Sequence, residues 1–248
     1  MWTDQSVRIE TRFMNQVQDK KKRCCSDEEV LARKEDILIA ATELFAEHGF
    51  ANANTQDLAE RLQVGKGTIF RHFPTKRDLF LAAVDRVMVK MREEILAEIA
   101  GIDDGLVQVA RGIKAFLSFY ANHPEYVELL IQERAHFKDR KRPTYFEHRD
   151  VNVPRWLKLY GQLIAEGRVR EMPVESITDV VGNLIYGTMF TNFFAGQKKP
   201  VDQQARDILD IVFRGILSDR ERERMLAASN GHLVHPVPAE SHTQASTE

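Results

Sequence analysis

The sequence predicts an all-α protein with a small N-terminal helix-turn-helix domain of three helices and a larger helical C-terminal domain. Three observations carry that reading. Apolar residues recur at three- and four-residue spacing along most of the chain. No stretch shows the sustained alternation of a strand. Pro124, Pro143, Pro154, Pro173 and Pro200 fall between or at the starts of the periodic segments, never in their middles, where a helix tolerates them. The expected organisation is a disordered basic tail over 1–30, a DNA-binding helix-turn-helix domain over 31–91, the larger domain over 92–226 and a disordered polar tail over 227–248.

Composition bounds the function. At 43% hydrophobic residues and 14 Phe in 248 positions, the chain can bury a sizeable core. Its formal net charge is only −2, so any basic footprint for nucleic acid must be local. Cys24 and Cys25 are adjacent. Their Cα atoms lie about 3.8 Å apart, closer than a disulfide usually spans, so two reduced thiols are expected, with a redox pair as the alternative. The start, MWTDQSVRIETRF, lacks a cationic stretch followed by an apolar one. The greasiest segment, Val180 to Ala195, is interrupted by Gly182, Asn183, Gly187 and Asn192 and is too short to span a bilayer. A cytoplasmic protein with no membrane partner is expected.

The elements follow in order. Lys20-Lys21-Lys22-Arg23 sits in the polar tail, either as a solvated run or as a basic arm for DNA. From Val30 to Phe50, Ile37, Leu38, Ala41, Leu44 and Phe45 form one apolar face, and Gly49 supplies the stop. Thr55 is placed to cap the helix TQDLAERL, with Leu58, Ala59 and Leu62 inward. Gln63-Val64-Gly65 reads as a three-residue turn, and Lys66 to Phe73 as a second short helix. Pro74 ends it and Thr75 caps a long helix bearing Phe80, Val84, Val87, Met91 and Ile95. Further helices are expected at about 106–121, 124–138, 153–167, 175–196 and 202–226.

The segment Gly65-Lys66-Gly67-Thr68 raises a choice between a phosphate-binding loop and a DNA-reading helix. The loop pattern needs a glycine where Glu60 stands, a hydroxyl where Gly67 stands, and a strand where a helix is expected. It fails on all three. The helix-turn-helix reading survives, because Ala59 is small enough to let two helices approach and Val64 can plug the turn. From Lys66 to Arg77 there are four cations, with Arg71 and Lys76 between, and no acid. Gly67 removes a side chain from the second helix, a cost that close backbone approach to DNA would explain.

ILIAATELFAEHGF, then T-x-x-D-L-A-E-R-L, then V-G-K-G-T-I-F-R-H-F-P-T-K-R-D-L-F together resemble the N-terminal domain of the TetR (tetracycline repressor) family, over about Leu31 to Met91. Two departures are visible. Leu62-Gln63 stands where the family often has Ala-Gly, so Gln63 is expected to take a left-handed backbone. Phe70 replaces a frequent tyrosine and lacks its hydroxyl. The resemblance implies that Lys66 to Phe73 enters the major groove. Lys66, Gly67, Thr68 and Arg71 would then lie nearest the bases. Thr55, Gln56, Phe70, His72 and Lys76 would meet the phosphate backbone, and Ile69 and Phe73 would point inward.

A helix of seven or eight residues is only about 10–12 Å long, so one head reads few base pairs. A homodimer on a near-palindromic double-stranded operator is therefore expected. By resemblance the dimer forms through the last two long helices, whose stripes are Ile177, Val181, Leu184 and Thr188, then Ala205, Leu209, Val212 and Ile216. Those stripes suit intrachain core as well. The resemblance also implies a mostly apolar pocket for a small-molecule effector, with Phe116, Tyr120, Trp156, Tyr160, Met189, Phe190 and Phe193 as its expected wall. Repression relieved by that effector is the implied behaviour, with a DNA-binding regulator controlled by a protein partner, or acting without a ligand, as the alternative. Asp139-Arg140-Lys141-Arg142-Pro143 reads as a charged loop. No enzyme, cofactor or metal is expected: Glu133-x-x-His136 has the spacing of half a helical metal site, but no second pair, H-E-x-x-H or Cys cluster accompanies it.

Overall fold

The computed structural model describes residues 29–228. The basic run Lys20 to Arg23, Cys24 and Cys25 lie outside them. Of the two expected tails, only 29–30 and 227–228 are described, and both stretches are helical. The described residues are α-helical throughout apart from turns and one isolated antiparallel bridge, Val169 with Leu217. They divide into two compact units between Ala83 and Val84, eight residues before the division expected at 91/92.

The first unit holds α1 (29–52), α2 (Thr55–Arg61), α3 (Lys66–His72) and the first turns of α4 (Lys76–Ile99). The apolar face read from α1 is its core: Ile37, Leu38, Ala41, Leu44 and Phe45 are buried with Leu58, Ala59, Ile69, Phe73 and Phe80. The Phe80 ring meets Phe45 edge-on at 5.0 Å and Phe50 at 5.2 Å, a favoured aromatic geometry. Gly49 takes φ +73° as expected of a stop, and one more helical turn follows it, closed by the Ala53 amide donating to the Gly49 carbonyl.

The second unit holds the rest of α4 and then α5 (Gly105–Asn122), α6 (Pro124–His136), α7 (Thr144–Ala165), α8 (Val174–Ala195), α9 (Val201–Ile216) and α10 (Asp219–Ala228). Helix α5 is central. It packs on α6, α7, α8 and α9 and buries Leu106, Val109, Ile113, Phe116, Leu117, Phe119 and Tyr120. Two glycines open its surface. A Cβ on Gly112 would come within 2.7 Å of the Trp156 ring, and one on Gly105 within 3.0 Å of Leu159.

Two elements depart from the sequence expectation. Helix α7 starts at Thr144, not near 153, so Pro154 lies inside it. The starting signal is remote. Glu133 of α6 accepts a hydrogen bond from the Thr144 amide at 2.9 Å and another from its hydroxyl at 2.9 Å, doing for α7 what a local cap would do. Pro154 withdraws one helical donor, from the carbonyl of Asp150, an exposed residue that solvent reaches. The helix expected over 202–226 breaks at Leu217 and Ser218. There the Arg170 amide donates to Ile216 and the Ser218 amide donates to Arg168, so a neighbouring segment takes over the backbone bonding.

Candidate nucleic-acid interface and effector cavity

Asn54, not Thr55, caps α2: its side chain accepts from the Gln56 amide at 2.9 Å. Thr55 is the first helical residue and only 6% exposed. The Gln56 side chain donates to Glu60 at 3.1 Å. The link to α3 is four residues, Leu62 to Gly65, because α2 ends at Arg61 with Leu62 as its cap. Gln63 takes φ +52°, the one non-glycine residue with positive φ among those described. The left-handed turn therefore forms without a glycine, at a conformational cost. The Val64 amide closes the turn onto the Ala59 carbonyl at 3.0 Å, beside the buried Ala59.

Helix α3 buries Ile69, with Phe73 buried just after it, and turns Lys66, Gly67 and Arg71 outward. Thr68, Phe70 and His72 are half-buried. Arg71 has no hydrogen-bond or ion-pair partner among the described residues. The Lys66 ammonium lies 5.8 Å from the Phe70 ring centre. A Cβ on Gly65 or Gly67 would meet nothing within 4 Å, so the fold itself does not demand glycine at either position. Lys76 is turned back on the protein, donating to the Ala51 carbonyl at 3.1 Å over the Phe50 ring. Burial pulls its ammonium below the usual lysine range. Thr75 and Asp78 form a reciprocal capping box at the start of α4, with bonds of 2.8 to 3.1 Å.

In the second unit α4, α5, α7 and α8 enclose a cavity of about 140 Å³. Of the expected wall, Phe116, Trp156 and Tyr160 line it. Tyr120, Met189 and Phe193 instead line a separate hollow with Leu117 and Asn192. Phe190 faces a third hollow beside Tyr186 and Tyr145. The reason is helical phase: residues that share an aromatic stripe in the sequence divide between different faces of α5 and α8. Burial pushes the hydroxyls of Tyr120, Tyr145 and Tyr160 well above the usual tyrosine range, so they stay protonated donors.

The cavity's polar wall was not legible in the sequence. Arg92, Arg149, Asn152 and Arg155 line it, yet each resembles an ordinary solvated helix residue when read alone. Arg149 spans α7 to α8, pairing with Asp179 at 2.8 Å. The charged loop has an internal role too. Arg140 pairs with Glu133 and with Glu147, each at 2.8 Å, and donates to the Thr144 hydroxyl. Glu133 is 2% exposed and is therefore occupied as a structural anchor. Among the described residues no group of three or more His, Cys, Asp or Glu is placed to hold a metal ion.

The predicted dimer stripes also need correction. Ile177, Val181, Ala205, Leu209, Val212 and Ile216 are buried within the single chain. The apolar residues left exposed on α8 are Val180, Leu184 and Phe194, and on α9 Ile211, at 72%.

Residues 37–83 match the family model for bacterial regulatory proteins, tetR family. The HTH-type transcriptional repressor AcnR of Corynebacterium diphtheriae is 27% identical over 79% of this chain and 97% of that protein. The N-terminal helix-turn-helix is a TetR-family domain. The chain is a transcriptional regulator that binds DNA through it. The HTH-type transcriptional repressor Rv3405c of Mycobacterium tuberculosis is 41% identical over 80 residues, spanning 32% of this chain and 41% of that one. The TetR-like architecture extends beyond that stretch. The transcriptional regulator FadR from Bacillus subtilis, solved in complex with stearoyl-CoA, superposes with a TM-score of 0.62 at 19% identity, over 73% of this chain and 98% of that one. Among the described residues no helix is long and apolar enough to cross a membrane.

Proposed function

We propose that the protein is a homodimeric repressor that leaves a near-palindromic operator when a small, largely apolar ligand fills the cavity of its second unit. The observation that carries the DNA half is the outward face of α3. An unpaired guanidinium stands on it, and Gly67 within it and Gly65 just before it face open space. Arg71 reads a guanine edge, Thr68 meets a base methyl, and Lys66 neutralises a phosphate. Seven residues of α3 cover about 10 Å, so two copies are needed for adequate specificity.

The second copy docks on the face formed by Val180, Leu184, Gly187 and Thr191 of α8 with Ile211 of α9. These α8 positions repeat at three and four residues. A Cβ on Gly187 would meet nothing, and the Thr191 hydroxyl is turned inward onto the Gly187 carbonyl, so the face presents apolar surface. The AcnR likeness supports repression, and the stearoyl-CoA complex of the FadR neighbour supports a ligand within this architecture. The effector releases DNA only through its different affinity for the bound and released forms.

The test is a mobility-shift assay with operator selected from random duplex. Arg71→Ala is expected to weaken operator binding by about tenfold or more while the thermal midpoint and light-scattering mass stay those of the parent dimer. Equal affinity for operator and scrambled duplex in the parent protein would reject the proposal.

A further inference from the structure

We infer that the cavity takes a small anionic ligand, a carboxylate joined to an apolar body about the size of one aromatic ring, with Arg92 as its principal partner. The inference rests on the reading of this cavity as the effector site and adds the ligand's charge and size.

Charge comes from the wall. Three arginines line the cavity and no acid does. Arg149 is already neutralised by Asp179. Arg92 and Arg155 have neither an ion pair nor a hydrogen bond among the described residues. The Nε of Arg92 is fully buried and has no acceptor. A buried guanidinium N–H without a partner is costly, and nothing among the described residues compensates it. Asn152 donates to the His148 carbonyl and Thr178 to the Val174 carbonyl, while the Tyr145 hydroxyl, also in the wall, stays a protonated donor. The Tyr160 hydroxyl makes no hydrogen bond among the described residues and supplies another donor. The cavity thus offers donors and no free carboxylate, the pattern that selects an anion and rejects a cation.

Size comes from the space and its apolar side. About 140 Å³ is enclosed among Val109, Ile113, Phe116, Trp156, Val181 and Ile185, and a cavity of about 150 Å³ accommodates one benzene. Trp156, seated against Gly112, sets the limit in one direction.

Isothermal titration of the full chain with phenylacetate, phenethyl alcohol and phenethylamine separates charge from shape. Phenylacetate is expected to bind at least about tenfold more tightly than the alcohol, and the amine least. Arg92→Gln is expected to bring the acid and the alcohol within about threefold of each other by weakening the acid, with a thermal midpoint no lower than the parent's. Should Arg92→Gln fail to fold, Arg155→Gln must narrow the same ratio. An alcohol or amine bound as tightly as the acid, no binding of any probe, or an unaltered ratio in the folded variant overturns the inference. A mobility shift run beside the titration keeps the two readings apart. Arg92-dependent binding of phenylacetate with the operator still held would sink the effector role and leave the anion site standing.

Discussion

Two glycines, one in each unit, show how differently the two halves of this chain use the same residue. Gly67 on α3 has nothing near it. The fold makes no use of its missing side chain. Gly112 on α5 lies where a Cβ would stand 2.7 Å from Trp156. Its missing side chain serves the protein's own packing. The surface proposed to meet DNA in the first unit is one short outward-facing helix, whereas the effector site proposed for the second is a cavity lined by four helices.

The largest expected effect belongs to the hidden interior of the second unit. Glu133→Ala removes the acceptor for Thr144 and the partner of Arg140. It should cost about 3–5 kcal/mol, the range for breaking a buried ion pair, in urea denaturation followed by circular dichroism. A loss under about 1 kcal/mol would show that the lock is ornamental.

The same small substitution then divides the units. Gly112→Ala should lower stability by about 1–3 kcal/mol through overpacking against Trp156. Gly67→Ala should raise it by about 0.5–1 kcal/mol, as alanine normally does within a helix, while weakening operator binding in the mobility shift. Equal stability changes at the two sites would erase the contrast.

The smallest effect is acid sensitivity. Burial works to raise the Asp104 carboxyl, but hydrogen bonds from Arg168 and from the Val107 and Leu106 amides outweigh it and hold the carboxyl below its usual value. A depressed folded value means the stabilisation is complete above the unfolded carboxyl range, about pH 4. It is lost as pH falls through the lower folded value. Thermal midpoints measured from pH 6 down to pH 3 should therefore drop less for Asp104→Asn than for the parent.

The same contrast explains what the sequence disclosed. The α1 face, the inward Ile69 and Phe73, the Thr75 cap and the left-handed Gln63 were all legible, because each is set by neighbours within a few positions. The Asn54 cap was missed by one residue, since Asn and Thr both suit the role. The early start of α7 was not legible, because its signal lies eleven positions upstream on another helix. Nor was the end of α9, where the Leu217 bridge reaches back to Val169. Arg92 looks like a solvent-facing cation in the sequence, and only the fold buries its Nε at the cavity wall. The expected aromatic wall divides among three spaces for a related reason: composition supplies the rings, and only tertiary phase decides which space each ring faces.

The carboxylate on α6 also bears on how α7 forms. A peptide cut to span only α7 would lack the acceptor for its first amide and would carry Pro154 in its interior, so it should nucleate poorly in isolation. A peptide extended to include α6 should be more helical over α7 by circular dichroism than α7 alone.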